Sequence, residues 1–148
     1  MVNGERNPGS SLTPEHSGVY LAPSDASVLR AAATRSTLAW MDLDTGTVPN
    51  KMQFLMACAR DLQFPVWFGG NWDALADCLQ DFSWKPASGH VVLWRGASAF
   101  AKAAPDDFAT ALEIFRDAAI YWKARGRVFI ALLDEPVRSV AVQPFPGS

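Results

Sequence analysis

Three short apolar runs limit what this chain can fold into: residues 38–43 (LAWMDL), 91–94 (VVLW) and 128–133 (VFIALL). Their length suits strands rather than helices. None shows the polar alternation of a sheet with one wet face, so each must be covered on both sides. Parallel strands packed between helices meet that condition. Helical patterns do lie between the runs. The expected fold is a small α/β domain whose three-stranded parallel sheet is packed by helices, and residues 19–21 read as a short edge strand that would make a fourth. A chain of 148 residues with 49% apolar content, nine Phe and six Trp has enough to bury a proper core, which excludes disorder along its whole length.

The connecting segments carry their own signals. Residues 1–17 are rich in Gly, Pro, Ser and Asn without periodicity and read as a flexible tail. Ser24 or Asp25 is placed to cap a short helix reaching about Thr34, with Val28, Leu29 and Ala32 on one face. A second helix follows Pro49, and Met52, Leu55, Met56, Ala59 and Leu62 form its expected buried stripe. A short helix over 97–103 precedes a long one opened by Pro105, with Asp106 and Asp107 in its first turn and Gly126 after its end. Phe108, Leu112, Phe115, Ala119 and Trp122 are its expected core face. Residues 18–133 thus make a single domain, and 134–148 read as an irregular C-terminal tail.

Charge is concentrated in one place. Between Asp61 and Trp84 stand four aspartates (Asp61, Asp73, Asp77, Asp81) and no Lys or Arg, a net −4 in a chain that sums to −2. The same segment holds an aromatic turn, FPVWFGG, before a helix with Asn71 as its expected N-cap. Helical angles put Trp72, Leu75, Cys78, Leu79 and Phe82 on one face, with Asp73, Asp77 and Asp81 opposite. Asp73 lies in the first turn, where it complements the helix dipole. Asp77 and Asp81 lie beyond it, and like charges four apart each cost a helix about 0.2–0.5 kcal/mol. Pattern alone leaves this stripe open between a solvated face and a binding surface. As a surface it suits an Arg- and Lys-rich cleft, whereas nucleic acid itself would need positive charge.

Chemistry has few carriers. His16 falls in the N-terminal tail, and His90 opens a strand, where a local hydrogen bond would satisfy it. Neither stands at metal-ligand spacing with Cys58 or Cys78, which read as small buried hydrophobes in a reducing compartment. There is no Walker-type phosphate loop and no Gly-x-Ser-x-Gly elbow. A hydrolase built on two of the aspartates would lack an accompanying base or metal cluster. No catalytic residue, metal or cofactor is therefore expected. With no signal peptide or membrane span visible, the chain reads as soluble and cytoplasmic.

The segment FPVWFGGNWDALADCL resembles the signature of the barstar family of ribonuclease inhibitors. The likeness continues through Trp94-Arg95, the IFRDA of the long helix (114–118) and the closing strand, covering roughly residues 38–133. The resemblance implies an intracellular inhibitor of immunity type, monomeric when free, that plugs the active site of a basic ribonuclease with this loop and helix. It implies partner contacts at Trp67, Gly69, Asn71, Asp73, Ala76, Asp77 and Asp117, with Asp77 dominant. Trp67 stands in place of the family's interface tyrosine, Asp117 where a glutamate is frequent, and Ala76 where the best-known member has tryptophan. Asp61 is expected at the rim. A barstar-like scaffold serving another basic protein is the alternative.

Overall fold

The run at 128–133 forms the most enclosed strand. In the computed structural model, which describes residues 8–146, all six side chains of β4 (Val128–Leu133) are buried. It lies between β1 (Gly18–Leu21) and β3 (Gly89–Arg95), and β2 (Leu38–Asp44) completes a four-stranded, wholly parallel sheet in the order β1-β4-β3-β2. Residues 19–21 are therefore a strand, extended by Gly18 and registered against Ile130–Leu133.

Alternate residues feed two separate cores. Phe129, Ala131 and Leu133 point into the larger one, with Val92 and Trp94 of β3 and helices α2 (Lys51–Asp61), α3 (Trp72–Leu79), α4 (Ala97–Ala103) and α5 (Pro105–Ala124). Val128, Ile130 and Leu132 point into the other, under α1 (Ser27–Arg35). Continuous apolar strands are thus explained by continuous cover. The turns after β2 and β3 are pressed together: Gly96 has φ +75°, and a Cβ there would stand 2.4 Å from the Gly46 nitrogen. Only glycine fits that position.

Three expectations need correction. Residues 8–17 form two 3-10 turns, Pro8–Ser11 and Pro14–His16, instead of a flexible tail. Leu12 is buried in the smaller core, and Ser17 Oγ donates to the Arg127 carbonyl (2.9 Å) while accepting the Phe129 N–H (3.0 Å). Residues 1–7 of that expected tail lie outside those described. The segment after β4 is irregular but fastened. Leu21 donates its N–H to the Gln143 carbonyl (2.7 Å) and accepts from Phe145 N–H (2.9 Å), and Phe145 is buried edge-on to Tyr20. This strip pairs with the last residue of the outer edge of β1, shortening what would otherwise be an open pairing template.

The other two corrections concern helix faces. On α2 the buried residues are Phe54, Leu55, Ala57 and Cys58, while Met52 and Met56 are 59% and 57% exposed. Phe54 decides the rotation by stacking on Phe100 at 4.7 Å and packing on Trp94 at 5.5 Å. On α1, Val28 is exposed and Ala33 buried, and Asp25 bonds the Ser27 N–H (3.0 Å) from one residue before the cap position. On the long helix Phe108, Leu112, Phe115 and Ala119 are buried as expected, Trp122 is only partly buried against the same core, and Gly126 (φ +70°) ends it. Among the described residues, no helix is long and apolar enough to cross a membrane.

Candidate functional site

The acidic helix is set by its cap. Asn71 has extended backbone angles, and its side chain accepts the Ala74 N–H at 2.7 Å. The residue before it, Gly70, takes φ +69°, so the left-handed turn falls there and not at Gly69. A Cβ on Gly69 would make only ordinary 3.6 Å contacts with Ala74 and Asn71. Leu75, Cys78 and Leu79 are fully buried, and Trp72, partly buried, lies 6.0 Å from Phe54 with the Lys51 ammonium 5.4 Å above its ring. The expected inward face is therefore the observed one.

Outward, Asp73 and Asp77 are exposed one turn apart. Neither makes an ion pair or side-chain hydrogen bond with any described residue. Ala76 is half-buried between them along the helix and presents only a methyl group. The other two aspartates do not belong to this surface. α3 ends at Leu79, so Asp81 sits in the following turn, where it accepts from Ser83 N–H (3.3 Å) and Oγ–H (3.2 Å). Asp77 and Asp81 are therefore not neighbours four apart on one helix, and 73–77 is the only such pair within α3.

Asp61 is paired within the fold. It is bound by Arg60 (Nε to Oδ1, 2.8 Å) and accepts the Asp44 N–H at 2.9 Å, tying the end of α2 to the end of β2. Burial would raise its carboxyl, but the Arg60 and Asp44 hydrogen bonds outweigh that and hold it below the usual carboxylate range.

The aromatic loop before α3 projects two side chains. Val66 is fully exposed and Trp67 is 60% exposed. Trp84 supports Trp67 from beneath, edge-on at 6.2 Å, and also meets Phe64 at 5.6 Å and Phe82 at 5.3 Å. Phe82 has φ +56° and lies flat on His90 at 4.1 Å, whose Nε2 is 2.8 Å from the Lys85 carbonyl. Burial lowers the His90 pKa, favouring the neutral ring that stacks here. Trp84 and Val66 were not singled out from the sequence. Val66 carried a signal by lying between Pro65 and Trp67, but nothing local to Trp84 pointed to the loop.

Helix α5 packs against α3 and fixes its far end, where the Trp122 indole N–H donates to the Leu79 carbonyl at 2.8 Å. Asp117 is exposed on α5. Behind the acidic face the Cys78 thiol is pushed up to about 11 by burial and by Asp81 and Asp77, which keeps it protonated at neutral pH. Both cysteines are free and buried. Among the described residues, no group of three or more His, Cys, Asp or Glu side chains could hold a metal ion.

These features define a parallel α/β scaffold that displays an uncompensated acidic helix beside a propped tryptophan. The barstar (barnase inhibitor) family profile matches residues 38–134, and the chain belongs to that family. No curated protein matches it. Among solved structures, the ORC2 protein of Aeropyrum pernix, solved in ADPNP–ADP complexes, is similar at 17% identity with a TM-score of 0.51. The likeness covers 83% of this chain but only 36% of that one, and it speaks for the parallel α/β fold alone.

Proposed function

We propose that this protein is a ribonuclease inhibitor, which blocks the basic active-site cleft of its target with α3 and the loop before it. The observation that carries this reading is the pair Asp73 and Asp77, exposed on one helix face with no cation opposite and Trp67 exposed on the adjoining loop. A ribonuclease cleft gathers Arg, Lys and His to hold RNA phosphates, and two carboxylates one helical turn apart offer those groups a substitute for the phosphates. Opposite charge also steers encounter and speeds association. Asp77 enters deepest, Asp73 flanks it, Trp67 packs on the cleft wall, Asn71 and Gly69 hold the loop, and Asp117 reaches the target from α5. Ala76 leaves a shallow notch, which a bulky side chain of the target fills. The protein binds without turnover, acts in the cytoplasm as an inhibitor of immunity type, and is monomeric until bound.

The test is inhibition of RNA cleavage by a panel of purified basic ribonucleases, barnase included. Stoichiometric inhibition of a member by the wild-type chain, lost in Asp77→Ala, is the expected result. Asp77→Ala should cost about 2–5 kcal/mol, the range for truncating one partner of a buried interfacial charge pair, for which barnase–barstar is itself the reference system. Tight binding to a basic protein without nuclease activity, through the same residues, would transfer the face to another target.

A further inference from the structure

The family match begins at residue 38, so β1 and α1 precede it. Between this added unit and the matched core lies a cleft of about 410 Å³, lined by no residue of α3. One wall is the β1–α1 loop, the floor is Trp40 and Leu93, and Arg95 and Asp134 close the far side. It opens at the carboxyl ends of the strands. There β1 leads into α1 on one face of the sheet, while β3 leads into α4 on the other. Crevices of this kind are where parallel α/β sheets bind small molecules, typically in volumes of about 300–1,000 Å³.

The polar groups around the cleft are only partly used. Arg30 Nη1 and Arg95 Nη2 converge on Asp42 at 3.8 and 3.5 Å and make no other ion pair or side-chain hydrogen bond. A guanidinium has about five N–H donors, so most of each fork stays open. Asp25 accepts twice on one oxygen, from Ser27 N–H (3.0 Å) and Oγ–H (2.6 Å), leaving its second oxygen free. The Trp40 Nε1–H is buried without a hydrogen-bond partner, and the buried Asp42 Oδ1 has only the 3.5 Å ion pair with Arg95. Asp134 is already engaged by the Gly96 N–H, 3.2 Å from each oxygen.

We propose that this cleft binds a small amino-acid-like zwitterion with an apolar side chain. Its carboxylate lies in the fork of Arg30 and Arg95, its ammonium on Asp25, and its body on Trp40 and Leu93. Asp25, Asp42 and Asp134 together exceed the two guanidiniums, which disfavours a simple anion. A simple cation gives no acceptor to the guanidinium donors that Asp42 does not engage. Only a ligand bearing both charges uses the open donors and the open acceptor together.

The test titrates ¹⁵N-labelled full chain with L-phenylalanine, N-acetyl-L-phenylalanine and phenethylamine, following the Trp40 indole N–H by NMR. L-Phenylalanine should shift that signal saturably, and the two singly charged analogues should bind at least tenfold more weakly. Arg30→Gln should weaken L-phenylalanine at least tenfold while the Trp94 and Trp122 indole signals stay in place, showing an intact fold. Asp25→Asn should abolish the preference for L-phenylalanine over its N-acetyl analogue. Absence of saturable shifts, equal binding of all three compounds, or unchanged binding in both variants would overturn the proposal. No ribonuclease enters this experiment, so its outcome is separate from that of the α3 face.

Discussion

Helices α2 and α3 begin alike and end differently. Each starts after an extended asparagine, Asn50 or Asn71, whose side chain accepts the N–H three residues on, at 2.9 and 2.7 Å. Both bury an apolar face in the same core. The acid on α2, Asp61, is matched by Arg60 and by the Asp44 N–H. The acids on α3, Asp73 and Asp77, are matched by nothing described. With caps and core alike, the helices differ in how their acids are met: Asp73 has only the dipole of its first turn, and Asp77 lies beyond even that. One carboxylate is bound into the fold, and the other two are exposed without a partner among the described residues.

The comparison breaks most easily at Asp77 and Asp61. Asp77→Ala should weaken the inhibitory complex by about 2–5 kcal/mol in titration calorimetry, whereas Asp61→Ala should leave affinity nearly unchanged. Equal losses would erase the distinction between the two helices. Next in size is folding. Asp61→Ala should lower stability by about 1.5–3 kcal/mol in urea, since it removes hydrogen bonds involving a charged group. The sign of its pH dependence follows from a folded-state pKa below the usual value. The contribution is present above the unfolded value of about 3.9 and is lost as pH falls through the lower folded value. Wild type and Asp61→Asn should therefore converge in stability on acidification below about pH 4.

The caps come third. Asn50→Ala and Asn71→Ala should each cost about 1 kcal/mol, and a markedly larger loss at one would show that the two helix starts are not equivalent. The smallest effect runs the opposite way. Asp77→Ala relieves repulsion from Asp73 and should raise folding stability by about 0.2–0.5 kcal/mol while binding collapses, readable as a small increase in Tm. A destabilised Asp77→Ala would mean that the carboxylate has a structural duty.

Much of this was legible locally. The Asn71 cap, the inward set Leu75, Cys78 and Leu79, and the stop at Gly126 follow from residues within a turn of one another. The parallel sheet was legible because apolar runs without alternation have few other uses. What escaped depended on distant partners. Met52–Met56 and Phe54–Cys58 are rival stripes on α2, and only the stacking of Phe54 on Phe100 chooses between them. The end of α3 is decided by the positive φ of Phe82 and by the Trp122 bond to Leu79, so counting four residues from Asp77 overran the helix. Asp61 has one partner next to it in the sequence, Arg60, but its second, the Asp44 amide, lies on another element. Leu12 and Phe145 sit among polar, proline-containing neighbours that hide their burial.

The strand order has a consequence for synthesis. Gly18 of β1 pairs with Ile130 of β4, so the first strand of the sheet to leave the ribosome has no neighbour until the fourth appears. The end of its other edge is paired later still, by Gln143 to Phe145. During elongation β2 and β3 can zip while β1 stays unmatched. Pairings this remote in sequence slow folding and prolong the exposure of a bare strand. The strand of the sheet that is made first is thus the one that must wait for the strand made last.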